Sequence, residues 1–208
     1  MTNVTVARRA PVSTHPGFTM VELLITIVIL AVLAGIAVPS MREFIARQRV
    51  EAIAKELATD LRYLRTEAIQ RRRDVEILFL QSTDGATSCY VLYFVGEDGE
   101  RCSCGRTDGL PTCGDPALPD AHQEFKTVSF RRTSGIVLSS NPTSMTLGGL
   151  NGLPRDSPTG PQAFRASVAG TSIGGEVLVY TTLTDRIVPK ICSNSGRHGS
   201  LLPCTPSP

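Results

Sequence analysis

Residues 18–38 read FTMVELLITIVILAVLAGIAV, an apolar run broken only by Glu22 and a few small or hydroxyl side chains. A helix of that length spans roughly 30 Å, the thickness of a bilayer's hydrocarbon core. The run exceeds the ~7–15 apolar residues of a cleavable signal, and no clean Ala-x-Ala site follows it. Before it, residues 1–17 hold Arg8 and Arg9 and no acid. That arrangement keeps the N-terminus in the cytoplasm and sends the rest of the chain outward. The run alone therefore specifies a single-pass membrane anchor.

A plain anchor leaves Glu22 unexplained. A carboxylate inside a spanning helix costs about 2.5–3.5 kcal/mol on insertion scales, so it needs a partner or a function. Glu22 follows Gly17-Phe18-Thr19-Met20-Val21. This Gly-Phe-Thr-Met-Val-Glu opening of an apolar helix resembles the processing site of type IV prepilins and type II secretion pseudopilins. The resemblance implies that a prepilin peptidase facing the cytoplasm cuts after Gly17 and that the new amine of Phe18 is methylated. It also implies that Glu22 meets the terminal ammonium of a neighbouring subunit, so that lipid faces neither charge alone.

Helical periodicity continues through residues 39–73. Val50, Ile53, Leu57, Leu61, Leu64 and Ala68 recur at spacings of three and four and draw one apolar stripe. Glu, Arg and Gln, all strong helix formers, are expected on the opposite face. Pro39, four residues after Gly35, predicts a kink or local melting near residues 35–39 that still lets the helix go on. A helix from Phe18 to Arg73 would be about 80 Å long at ~1.5 Å per residue. Residues 39–73 carry nine bases and five acids and end in Arg71-Arg72-Arg73. That triplet reads as a solvated helix end whose cations complement the dipole, with a DNA contact as the alternative.

After Asp74 the period changes towards two. Val75–Leu80 and Cys89–Val95 are rich in β-branched and aromatic residues, and Ser82-Thr83-Asp84-Gly85 supplies a turn between them, predicting an antiparallel hairpin. Residues 96–120, with five Gly, three Pro and three Cys, read as a long stapled loop. Further strands are expected at Lys126–Phe130, Ile136–Leu138, Met145–Leu147, Ala163–Val168, Glu176–Thr182 and Arg186–Ile191. The expected class is α+β, a long N-terminal transmembrane helix laid on an antiparallel β head.

Leu64-Arg65-Thr66-Glu67-Ala68-Ile69, leading into a strand at Val75, is similar to the region that marks the GspH/FimT family of minor pilins and pseudopilins. Arg186-Ile187-Val188 followed by Ser195-Gly196-Arg197 is similar to that family's last strand and tail. The resemblance implies a pilin-type lollipop, with residues 1–17 as leader, 18–38 as transmembrane helix, 39–73 as amphipathic periplasmic helix and 74–208 as globular head. It implies a subunit anchored in the inner membrane, with other pilins or pseudopilins as partners in a pilus or pseudopilus. Residues 96–125 match nothing in that family.

Cys89, Cys102, Cys104, Cys113, Cys192 and Cys204 all follow the membrane segment, and export would place them where disulfides persist. Six cysteines admit fifteen complete pairings, and sequence does not choose among them. Cys192 and Cys204 flank a Ser/Gly-rich tail and form the expected pair, which leaves the other four for two bridges around the long loop. A thiolate zinc site is the alternative. Against it, Cys102-Ser103-Cys104 lacks the usual gap of about two to four residues, and no matching second pair follows.

Composition narrows function further. The 208 residues are 41% hydrophobic and 19% charged, with 5% aromatics and no Trp, which suits a modest β-rich core with many turns. His15, His122 and His198 are scattered, and no G-x-S-x-G, H-E-x-x-H or Gly-rich phosphate loop occurs. Gly148-Gly149 and Gly174-Gly175 read as turns. No enzyme activity, cofactor, metal or small-molecule substrate is expected. Net charge is only +2, so bulk capture of nucleic acid is not expected either. A DNA-uptake role is the rival reading, because some members of the resembled family bind DNA through a Gly-Arg-x-Arg tail. Here Gly196-Arg197-His198-Gly199 keeps the first arginine and replaces the second, leaving Arg186, Lys190 and Arg197 as candidate phosphate contacts.

Overall fold

A computed structural model of the chain describes residues 17–82, 85–97, 102–104, 111–114, 122–155, 162–170, 176–182, 188–194 and 201–204. The chain divides into two compact units, Met1–Met41 and Arg42–Pro208. The first element, α1, runs from Met20 to Arg71. Its backbone is helical through Gly35 and Pro39, so the melting predicted there does not occur. Proline removes one hydrogen bond, and the strong helix formers on both sides carry propagation past it. The helix ends two residues before the expected Arg73, because Arg72 adopts a left-handed φ of 53°.

Within the second unit, the predicted stripe from Val50 to Ala68 is buried, joined by Ala54 and Ala58. Removing Leu57, Leu61 or Leu64 from water contributes roughly 1.5–3 kcal/mol each. The polar face departs from expectation: Glu51 and Asp60 are only 4% and 5% exposed. Glu51 accepts a hydrogen bond from Lys55 one turn on, at 2.7 Å. Asp60 is a polar anchor in the core, described below.

Eight strands follow among the described residues: β1 (Val75–Gln81), β2 (Thr87–Phe94), β3 (Gln123–Arg131), β4 (Ile136–Asn141), β5 (Ser144–Leu147), β6 (Gln162–Gly170), β7 (Glu176–Thr182) and β8 (Lys190–Ser193). They form two four-stranded sheets, ordered β3-β2-β1-β5 and β4-β6-β7-β8. Every strand pair is antiparallel. The expected hairpin is β1–β2, in register from Val75 opposite Phe94 to Gln81 opposite Ser88. Its turn is closed by the Gly85 amide donating to the Ser82 carbonyl, with Gly85 at φ 65°. The strand expected at Arg186–Ile191 begins only at Lys190; Val188 and Pro189 lie outside it, and residues 183–187 fall outside the described residues. Pro189 has no amide hydrogen for a ladder, which accounts for the late start.

Alternate residues of β1 and β2 divide between two clusters. Val75, Ile77, Phe79, Tyr90, Leu92 and Phe94 face the α1 stripe and the inner residues of the second sheet. Cys89, Val91 and Tyr93 point the other way, into a second cluster with Cys104 and Cys113. Strand β2 is thus buried on both faces. The described part of the cysteine-bearing β2–β3 connection packs on the outer face of the first sheet, bonded through Cys89–Cys104 and Cys102–Cys113. On the second sheet, Cys192 is bonded to Cys204. The chain there runs back beside β8, with the Ser193 amide donating to the Leu202 carbonyl and the Cys204 amide to the Ser193 carbonyl.

Candidate functional site

Chemistry at the start of α1 begins with its cap. Thr19 precedes the first helical residue, and its Oγ1 accepts the Glu22 backbone amide at 3.2 Å. The Thr19 carbonyl accepts the first helical bond, from the Leu23 amide. Thr-x-x-Glu is the sequence pattern of a capping box, a signal the reading by hydropathy passed over. It fixes where the helix starts, two residues after Phe18, and sets Glu22 in the first turn. There the helix dipole favours a carboxylate by about 0.3–1 kcal/mol.

Gly17 stands in open space, with no other group within 4 Å of where a Cβ would lie. Phe18 is 77% exposed, and every large apolar residue described from Met20 to Val38 is exposed with it. This part of α1 is long and apolar enough to cross a membrane, and no residue of its most apolar stretch is buried within the protein. Its internal hydroxyl is satisfied locally: Thr26 Oγ1 donates to the Leu23 carbonyl at 2.8 Å, as backbone-satisfied segments in lipid require.

Where the helix meets the head, Asp60 joins three elements. It accepts from the Tyr90 hydroxyl of β2 at 2.7 Å and from Lys126 Nζ of β3 at 2.7 Å. Lys126 also reaches Glu56 at 3.2 Å. Burial alone would lower the Lys126 ammonium's pKa, but the hydrogen bonds and charges of Asp60 and Glu56 outweigh it and raise the pKa. Burial, reinforced by Asp60, pushes the Tyr90 hydroxyl well above its usual range. These groups tie helix to sheet.

The arginine triplet is dispersed. The guanidinium groups of Arg71 and Arg73 lie 5.4 and 5.2 Å from the centre of the Phe94 ring. Arg71 also bonds Glu67, and Arg73 bonds Gln123. Two of the three cations therefore pack on the head as a helix-end clasp. Gly149 is a docking point and no phosphate cradle: its amide donates to Asp74, and a Cβ there would meet the Arg72 backbone at 2.5 Å. His122 accepts the Gly96 amide at Nδ1 and packs on Tyr93, holding the two ends of the stapled connection together. Gly174 and Gly175 lie outside the described residues, as do His15 and His198.

Of the candidate DNA contacts, Lys190 is exposed at the start of β8, and Arg186 and Arg197 lie outside the described residues. Arg197 falls in the sequence between Cys192 and Cys204, and these two cysteines are bonded, the pair that the sequence leads one to expect.

Comparison with known proteins follows the same division. The family model for the prokaryotic N-terminal methylation motif matches residues 14–38. That for type II transport protein GspH matches residues 54–175, more than half of the chain. The crystal structure of the type IV minor pilin FimU from Pseudomonas aeruginosa strain PAO1 aligns with a TM-score of 0.44 at 14% identity, over 72% of this chain and 91% of the FimU chain. No curated protein sequence matches. An exposed apolar helix opening at a methylation motif, joined in sequence to a two-sheet α+β head that the second family model matches as far as residue 175, makes this chain a member of the type II transport protein GspH family, the minor pilins and pseudopilins, which are structural subunits and not enzymes.

Proposed function

We propose that the chain is made as a precursor, cut by prepilin peptidase between Gly17 and Phe18, methylated at the Phe18 amine, and built into a type II secretion pseudopilus or a type IV pilus. Residues 1–17 are the leader and 18–38 the anchor in the inner membrane. Residues 39–73 and the head, 74–208, stand in the periplasm, where the three disulfides persist. The observation that carries this reading is the exposed, capped helix start. Gly17 is open to an approaching peptidase, and Glu22 sits in the first turn close to the amine that cleavage would free.

In a fibre the apolar side chains from Phe18 to Val38 exchange lipid for neighbouring helices. Glu22 then pairs with the ammonium of an adjoining subunit, which removes the cost of leaving either charge in an apolar setting. Glu22→Ala is expected to insert into the membrane and be cleaved normally, yet to be lost from sheared fibres, as judged by immunoblotting of the two fractions. Undiminished incorporation of the variant would refute the pairing.

A second reading, DNA uptake, draws support from Lys190, exposed at the start of β8, and from the presence of Arg197 in the sequence between the bonded Cys192 and Cys204. It predicts salt-sensitive binding of a DNA duplex in gel shifts that Arg197→Ala weakens. Binding that is absent, or unchanged in the variant, removes this role.

A further inference from the structure

The two bonds on the first sheet interleave along the chain. Cys89 bonds Cys104 and Cys102 bonds Cys113, so each bond closes a loop that contains one end of the other. Cys192 and Cys204, by contrast, are consecutive cysteines. Four cysteines admit three pairings. The consecutive one, Cys89–Cys102 with Cys104–Cys113, joins residues thirteen and nine apart, against fifteen and eleven for the native bonds. Loop-closure cost grows only with the logarithm of length, so chain entropy does not select the native pairing. The third pairing has to join Cys102 to Cys104 across a single residue.

Packing selects the native pairing, and that packing is assembled from later parts of the chain. Cys89, Cys104 and Cys113 are buried with Val91 and Tyr93 on the outer face of the first sheet. The Cys113 amide donates to the Glu124 carboxylate of β3 at 3.0 Å. Strands β3 and β5, the two edges of that sheet, both follow Cys113 in sequence. A chain that emerges N-terminus first presents its cysteines in order, before β3 is there to position them. An oxidant acting in that order joins each cysteine to the next, and of the three bonds so made only Cys192–Cys204 is native.

We infer that the head is a substrate of a thiol–disulfide isomerase, which converts the consecutive bonds among Cys89, Cys102, Cys104 and Cys113 into the interleaved pair. Delivery of the head to an oxidising compartment rests on the function proposed above. There a disulfide oxidant takes up the electrons of six thiols, three oxidant disulfides becoming dithiols as three bonds form. The rearrangement that follows is redox-neutral. The isomerase thiolate attacks the Cys102 sulfur of Cys89–Cys102 and frees the Cys89 thiolate. Cys89 attacks the Cys104 sulfur of Cys104–Cys113, which forms Cys89–Cys104 and frees the Cys113 thiolate. Cys113 then attacks Cys102 in the mixed disulfide, which forms Cys102–Cys113 and returns the isomerase thiolate. Exchange stops once the sheet closes, because Cys89, Cys104 and Cys113 are then 1%, 6% and 0% exposed.

The test compares the full chain from cells with and without their periplasmic disulfide isomerase. Free thiols are alkylated at lysis, and bonds are mapped by mass spectrometry after non-reducing digestion, with fragmentation between Cys102 and Cys104 to tell the pairings apart. Without the isomerase, the interleaved pair should fall about tenfold or more in favour of the consecutive pair, while Cys192–Cys204 stays constant. Cys102→Ser with Cys113→Ser makes Cys104 the next cysteine after Cys89, so in this variant Cys89–Cys104 should form equally in both kinds of cell. Loss of the intact chain from cells lacking the isomerase, with the variant retained, supports the inference in the same way. Interleaved bonds at equal yield in both kinds of cell overturn the inference alone. A variant that still needs the isomerase also overturns it, since the enzyme then acts without rearranging bonds. Six reduced thiols in both would remove the export reading and the inference together.

Discussion

The stretches of α1 before and after Met41 have similar helix formers and opposite fates. From Val50 to Ala68 the apolar side chains fill the core of the head. From Met20 to Val38 the apolar side chains are exposed. Twenty apolar residues are not stable in water, and the proposed function gives the first stretch its partners outside this chain, in lipid and then in other subunits. The comparison teaches that stability belongs to the second stretch and assembly to the first. Substitutions should therefore divide along the same line.

The largest contrast should come from matched truncations. Leu57→Ala removes a fully buried side chain and is expected to destabilise the head by about 2–5 kcal/mol. Leu24→Ala, on an exposed site, should leave the head's unfolding midpoint where it was and act only on membrane insertion or fibre yield. Urea unfolding of the full chain in micelles, followed by near-ultraviolet circular dichroism, checks both. Equal effects would break the division.

A smaller effect is expected at Asp60. Asp60→Asn weakens the bonds to Lys126 and Tyr90 and should cost about 1.5–3 kcal/mol. Its pH dependence has a definite sign. The Lys126 pKa is raised on folding, so its contribution is complete below the unfolded value of 10.5 and disappears as pH rises through the higher folded value. Tyr90, also raised, acts in the same direction from about pH 10 upward. Thermal scans should show the intact head losing stability at alkaline pH more steeply than Asp60→Asn does. Parallel curves would show that the ties are energetically idle.

Periodicity made the long helix legible because its apolar stripe follows a period that only a helix satisfies, and the β1–β2 hairpin was readable for the same reason at period two. The registers of burial were harder. Glu51 and Asp60 look like solvated helix residues until Tyr90 and Lys126 are brought to Asp60 from strands thirty and more residues away, which no local pattern encodes. The β2–β3 connection was legible as a stapled loop, but its packing on the outer face of the first sheet was not, because that depends on a sheet built from distant strands. At the helix start, Gly17, Phe18 and Glu22 were visible as a motif, and Thr19 was visible too, had capping been weighed beside hydropathy. The arginine triplet reads as a solvated helix end, and all three residues are exposed there; the contact of Arg71 and Arg73 with the Phe94 ring across a left-handed Arg72 is a long-range feature that no local pattern encodes.

The division between a stabilising stretch and an assembling one depends on maturation at Gly17. Intact-mass measurement of the natural protein from membranes or fibres tests it most directly. The expected species begins at a methylated Phe18 and carries three disulfides, and Gly17→Ile should convert the population to full-length precursor. A mature protein that still begins at Met1, or normal trimming of the Gly17→Ile variant, would contradict the account.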